Sequence, residues 1–263
     1  MRKLQSLKSL LLTFVVSMFI ASCSQEFTEI EDRISAQAEK NNTELSDTEI
    51  KKTAAYLLDW GRPDFYEKQV NAFLEIDKSN EYSEDLILFT GSSSIRFWET
   101  LTQDMQPLPV LNRGFGGAHI THVNNHFDQI VYPYNPKGIV IFCGTNDITA
   151  LKTPEEVFQD FLIFFEKVQQ QLPQTKVFYI GIKPTVARLY LQEEEQAFNK
   201  KIAQLSKENI NLIFIDVWEP MLLDNKPVAD LFVEDGLHMN AEGYKIWTSL
   251  VKPILDNAFL GEN

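Results

Sequence analysis

The sequence predicts an α/β fold in which one five-stranded parallel sheet carries helices on both faces. Three observations predict it. Five short apolar runs punctuate the chain, and stretches of helical length separate them. The runs are apolar almost throughout instead of alternating with polar residues, which is the pattern of strands buried on both faces of a parallel sheet. In such sheets ligands settle at the carboxyl ends of the strands. The turns that leave those ends are therefore the places to look for chemistry.

Residues 1–22 read as an export signal, with Arg2, Lys3 and Lys8 ahead of an apolar stretch at 10–20. That stretch is well short of the about 20 residues needed to span a bilayer. It ends in Ile20-Ala21-Ser22-Cys23, which resembles a bacterial lipobox. The resemblance implies a diacylglyceryl group on Cys23 as the first mature residue. A plain signal peptide with a chance cysteine is the alternative. A second acyl chain on the new N-terminus would make the anchor stable. With Ser24 and not Asp after the lipid site, the Gram-negative sorting rule points to the outer membrane of the cell envelope. If Cys23 is lipidated, Cys143 has no partner for an intrachain disulfide. Cys143 lies inside the apolar run 138–143 and reads as a buried small hydrophobe.

Residues 23–47 are polar, charged and poor in aromatic residues, a tether for which helical character is allowed. One globular domain is placed at 48–263 and opens with a helical extension. Ile50, Ala54, Leu57 and Leu58, then Phe65, Val70, Phe73 and Leu74, recur at helical spacing, and Gly61-Arg62-Pro63 separates the two helices. The strands are expected at 86–90, 110–112, 138–143, 176–182 and 212–217. The clearest helix opens at Thr153, which caps while Glu156 reaches back and Pro154 occupies the first helical position. Val157, Phe161, Phe164 and Val168 form its apolar face. A last helix follows Asn240, with Tyr244, Trp247, Leu250, Val251 and Ile254 turned inward. The chain shows no internal repeat. With 263 residues, 44% of them apolar, it supports a core of ordinary size. Its net charge of -13 disfavours a nucleic-acid partner.

The turns supply the parts of an acyl-transfer site. Gly91-Ser92-Ser93-Ser94 follows the first strand; Gly91 lets the chain bend, and the serines either cap the next helix or provide a nucleophile. Arg96, one turn on, contacts substrate or, as the favoured reading, pairs with a surface acid. Asn112-Arg113-Gly114-Phe115-Gly116-Gly117-Ala118 follows the second strand and lets backbone amides approach a ligand. Its glycine spacing is not a dinucleotide fingerprint, and no P-loop lysine follows. Gly144-Thr145-Asn146-Asp147 follows the third strand, where Asn146 is a turn residue or an amide donor. In Asp235-Gly236-Leu237-His238 the tight turn can bring the carboxylate to the imidazole, although Asp-Gly is commonly just a surface turn.

Taken together, these blocks resemble the SGNH hydrolases, also called GDSL-type esterases and lipases, across roughly residues 85–258. GSSSIRFW and NRGFGG further resemble the subgroup related to platelet-activating-factor acetylhydrolase. The resemblance implies a three-layer flavodoxin-like sandwich and a serine esterase without a cofactor or metal. It places the nucleophile at Ser93, with Ser92 or Ser94 as lesser alternatives, and the catalytic pair at Asp235 and His238. The oxyanion hole falls to Ser93, Gly117 and Asn146. Two positions depart from the family pattern: Ser92 and Ala118 stand where aspartates are usual.

A metal site is one rival, because His119, His122 and His126 would share a face of a single helix. A glycan-binding module without catalysis is another. The expected substrate is a short acyl ester, acetyl above all, on a glycan or other small molecule. A lysophospholipid is compatible with the same motifs, and the absence of a long lid segment disfavours long-chain triglycerides.

Overall fold

The computed structural model describes residues 24–261. The export signal and the lipobox cysteine at position 23 lie outside the described residues. The chain forms two compact units, one ending at Arg62 and the other beginning at Pro63. In the first, residues 24–40 are helical (α1), so the polar segment after Cys23 takes the helical option. It is followed by α2 at Asp47–Trp60, whose start is fixed by a capping box between Ser46 and Glu49. Among the described residues no helix is long and apolar enough to cross a membrane. Of the two helices expected over 48–77, the first belongs to this unit and the second, α3 at Glu67–Asp77, to the next.

The second unit carries the sheet. Its strands are β1 (Ile87–Gly91), β2 (Val110–Gly114), β3 (Gly138–Phe142), β4 (Lys176–Ile180) and β5 (Leu212–Ile215). They are all parallel in the order β2-β1-β3-β4-β5, the flavodoxin-like arrangement that was expected. Successive side chains point to opposite faces, and both faces are covered. On one, Phe89, Val140, Phe142 and Phe178 meet Trp98, Trp247, Val251 and Leu255 in a single core cluster. This face is closed by the short helices α4 (Ser93–Arg96) and α5 (Leu101–Asp104) and by the last helix, α11 (Ala241–Phe259). On the other, Tyr179 packs edge-on against Phe161 and Phe198. Those rings come from α9 (Pro154–Gln171) and α10 (Gln192–Glu208). Three further short helices fill the crossovers: α6 (Ile120–Asn125), α7 (Phe127–Ile130) and α8 (Thr145–Thr149).

The helix starts follow their sequence signals. Thr153 and Glu156 form a reciprocal capping box with Pro154 in the first turn. Asn240 caps α11, its Oδ1 accepting from the N–H groups of Glu242 and Gly243. Tyr244, Trp247 and Val251 are buried, whereas Leu250 and Ile254 are only half-buried and Leu255 completes the inner face.

One buried charge was not anticipated. Arg113, at the end of β2, is 4% exposed and pairs with Asp77 at the end of α3. It also donates to the Tyr134 hydroxyl at 2.7 Å and the Tyr82 hydroxyl at 2.8 Å, while Tyr134 donates to Asp77 at 2.6 Å. The guanidinium thus satisfies its donors inside the protein and holds α3 to the β2 edge. Arg113→Ala would leave the Asp77 carboxylate with the Tyr82 and Tyr134 hydroxyls but no cation, and losing one partner of a buried pair costs about 3–5 kcal/mol. Urea unfolding should show a lower midpoint of that size with an unchanged slope; a loss below about 1 kcal/mol would contradict this role.

Candidate active site

Three of the motif turns leave neighbouring strands at one level. Gly91 of β1 stands opposite Gly114 of β2 on one side and Phe142 of β3 on the other. Past that rung the backbones stay tied: the Ser92 N–H donates to Phe142 O at 2.9 Å, and the Phe115 N–H donates to Gly91 O at 3.0 Å. Gly91 has φ +116°, and a Cβ there would lie 2.1 Å from Phe142 O. No other residue permits this approach.

Ser93 opens α4 directly above this rung. No serine of this turn caps the helix through its hydroxyl. Ser92 stands at the N-cap position without a side-chain bond, and its hydroxyl is buried with no partner among the described residues. Ser94 accepts from the Lys183 ammonium at 3.0 Å. Ser93 instead reaches His238, its Oγ 2.9 Å from Nε2. His238 Nδ1 lies 2.6 Å from Asp235 Oδ2. Asp235 Oδ1 accepts from the backbone N–H groups of Leu237 at 2.8 Å and His238 at 2.9 Å. Gly236, at φ +62°, supplies the bend. Burial pushes the Asp235 carboxyl upward, but the His238 backbone and ring donors and the Leu237 N–H outweigh it and hold the group below its usual range. An ionised Asp235 needs a proton on Nδ1, which leaves Nε2 as the acceptor facing the serine hydroxyl.

The His238 loop is fastened on several sides. Val233 N–H donates to His238 O, Ala187 N–H to Gly236 O, and Asn240 N–H to Leu231 O. Tyr244, on the first turn of α11, donates to Ser94 O at 2.9 Å and so joins the histidine side to the serine turn. Phe97 stands edge-on to the imidazole at 5.0 Å. Arg96 does not pair with an acid as the sequence favoured: among the described residues it makes no ion pair, and its guanidinium lies 4.9 Å from the Phe97 ring centre. Asp104, on α5, accepts instead from the Trp98 indole and Thr100. A cavity of about 790 Å³ adjoins this side, with Phe97, Val233, Met239, Tyr244, Asp235 and His238 in its lining.

On the opposite side, Asn146 sits in the first turn of α8 and donates through Nδ2 to Ala118 O at 3.1 Å. The next residue, Asp147, accepts from the Ile120 N–H at 3.1 and 3.3 Å. Two consecutive side chains of the β3 turn thus stitch down the β2 loop that carries Gly117. Asp147 is fully buried, and burial pushes its carboxyl up to about 7 against the pull of Lys152. The Ser93 N–H meets no acceptor among the described residues. Cys143 is buried as expected, its thiol directed to Ala118 O.

The three histidines do not share one helical face. His119 precedes α6, and its backbone N–H donates to His122 Nδ1 at 2.8 Å; His126 falls in the break between α6 and α7, with Nδ1 2.6 Å from Gln129 Oε1. The break at His126 ends the helix before a third ring can align. No group of three potential metal ligands assembles among the described residues. Burial pushes the His119 imidazole down to about 2, so it is neutral.

Sequence reasoning missed Lys183 and Arg188. Both follow β4, at the carboxyl edge where the other turns lie, in the stretch Lys183-Pro184-Thr185-Val186-Ala187-Arg188. Two basic residues at a strand end were the available signal. Lys183 is 2% exposed, has no carboxylate within ion-pair reach among the described residues, and lies 5.0 Å from the Phe142 ring centre.

A family model described as the GDSL-like lipase/acylhydrolase family matches residues 81–246. No curated protein matches the chain in sequence. Solved structures share its fold. One is a Streptococcus pneumoniae protein assigned as a platelet activating factor, 20% identical, covering 80% of this chain and 100% of its own, with a TM-score of 0.67. Another is a GDSL-like lipase from Bacteroides thetaiotaomicron, 22% identical over 72% of this chain and 98% of its own, with a TM-score of 0.62. A carbohydrate esterase of family 3 from Talaromyces cellulolyticus is 17% identical over 68% of this chain and 99% of its own, at a TM-score of 0.55.

Burial pushes the Lys183 amine down to about 7, aided by Arg188 and opposed by Glu195 and Asp235. The folded protein therefore binds fewer protons at this site than the unfolded chain between pH 7 and 10.5. Stability rises with pH across that window, by up to about 1.4 kcal/mol per unit from this group. In urea titrations at pH 7.5 and 9.5, Lys183→Met should lose that slope relative to the parent. Equal slopes in the two proteins would show that the lysine titrates normally.

Proposed function

The chain belongs to the GDSL-like lipase/acylhydrolase family and is a hydrolase acting on esters, and we propose that it removes short acyl groups, acetyl above all, through an acyl-enzyme on Ser93. What carries the reading is the unbroken line from Asp235 through His238 to the Ser93 hydroxyl. His238 Nε2 takes the Ser93 proton as Oγ attacks the ester carbonyl carbon. The carbonyl π electrons move onto oxygen, where the Ser93 and Gly117 N–H groups and the Asn146 amide receive the charge. Collapse expels the alcohol, which takes the proton from His238 as it leaves. Water, deprotonated by His238, then attacks the acyl-serine, and the acid departs while Ser93 regains its proton. Asp235 stays ionised throughout and favours the imidazolium that forms in each step.

Glycan-borne esters are the proposed substrates. A carbohydrate esterase shares the fold, the sequence offers no long lid, and the lipobox-like N-terminal segment supports a position on the cell envelope, in the outer membrane, where acylated glycans are met. Cys23 carries the lipid in this reading, and residues 24–47 hold the enzyme off the membrane.

On p-nitrophenyl esters of increasing length, turnover should be greatest for acetate and fall with each added carbon pair. Ser93→Ala should lose at least about 10³-fold in kcat. Undiminished turnover in that variant would refute the Ser93 mechanism, and a preference for long chains would refute the short-acyl reading. In the native host, Cys23→Ser should move the protein from the membrane fraction to the soluble one; unchanged membrane association would remove the lipid anchor from the proposal.

A further inference from the structure

An asparagine amide is nearly symmetric in shape, yet only its nitrogen end can receive an oxyanion. Turned over, it would present a second acceptor to a developing negative charge. At Asn146 two neighbours discriminate between the ends. The Ala118 carbonyl, which can only accept, lies 3.1 Å from Nδ2. The Arg188 guanidinium, which can only donate, lies 3.1 Å from Oδ1. Reversal would set acceptor against acceptor and donor against donor at once. With one Nδ2 hydrogen on Ala118, the other has no acceptor among the described residues.

Arg188 is itself held. Its second arm donates to Thr145 Oγ1 at 2.8 Å, and the Thr145 hydroxyl donates onward to Glu195 Oε1 at 2.7 Å. Thr145 is 5% exposed and Glu195 fully buried. The series Glu195, Thr145, Arg188, Asn146 thus runs from α10 through the β3 turn to the oxyanion side of Ser93. A charged donor on the amide oxygen draws electron density from the nitrogen and makes its remaining N–H a stronger donor.

We propose that Arg188 is a positioning residue, anchored by Thr145 and Glu195, that fixes the orientation of the Asn146 amide and strengthens it as an oxyanion donor. The proposal rests on the reading of Asn146 given above. Nothing in it requires Arg188 to touch substrate, and that sets the form of the test.

Kinetics on p-nitrophenyl acetate would be measured for the parent, Arg188→Ala, Arg188→Lys, Asn146→Ala and the double variant Arg188→Ala/Asn146→Ala. Loss of an oxyanion donor costs about 10²–10³-fold in kcat, so removing its support should cost less. Arg188→Ala is expected to lower kcat about 10–100-fold with KM held within about twofold. Arg188→Lys should fall between, because an ammonium cannot bridge Thr145 and Asn146 as the planar fork does. In the Asn146→Ala background the Arg188 change should add less than about twofold. Additive losses, or a rise in KM at unchanged kcat, would overturn the proposal, the second by making Arg188 a substrate contact. Thermal unfolding checks that each variant is folded, and Arg188→Lys serves if the alanine variant is not. The Asn146 side-chain amide signals in a ¹⁵N–¹H spectrum give a reading independent of turnover. They should move and exchange faster in Arg188→Lys, and an unmoved pair would also overturn the proposal. A parent that turns over no ester would sink the esterase reading while this spectrum still judged the amide.

Discussion

Three parallel strands end at the same height, and that depends on Gly91. Its missing side chain lets β1 press against Phe142 O closely enough for the Ser92 N–H to bond there. From that rung the Ser93 turn, the Gly117 loop and the Asn146 turn rise side by side. A residue with a Cβ would drive β1 and β3 apart, and the three turns would no longer face one point. The apolar layers on both faces then fix the sheet beneath this edge, so that a family-typical arrangement is built on ordinary packing.

The parts of the site differ in how they are held. Ser93 is set chiefly by the backbone of its turn. His238 depends on a loop of its own, stapled to Val233 and Ala187 and joined to the serine turn through Tyr244. The Asn146 side depends on side chains: Asn146 and Asp147 pin the loop after β2, and Arg188 faces Asn146 from behind. A site whose members come from separate elements needs such cross-links to keep reacting groups within a few tenths of an ångström, which is what preorganised electrostatic catalysis requires.

Buried ionisable groups gather at this edge. Lys183, Glu195 and Asp147 are each almost or wholly shielded from water, and burial pushes each toward its neutral form. Such groups are costly to keep. Their clustering around the Ser93 and Asn146 turns fits a site where charge develops during reaction.

Read without its fold, the chain specifies the sheet, its parallel sense, the helix caps at Thr153 and Asn240, and the four motif blocks. Each is written locally, in apolar runs, capping residues and glycines whose backbone demands are their own. It also marked Ser93, Asn146, Asp235 and His238 as the residues to watch. What it left open were choices made by partners distant in the chain. Whether Ser94 caps a helix or receives Lys183, whether Arg96 meets an acid or Phe97, and where His126 points were settled only by packing. Arg113, Lys183, Arg188 and Glu195 were passed over because a charged residue in sequence looks like a solvated one. Only the fold shows which charges it encloses and what they face. The 145-residue separation between Ser93 and His238, closed to 2.9 Å, is the plainest case: the parts were legible in the chain, but tertiary structure alone brought them within reach of one another.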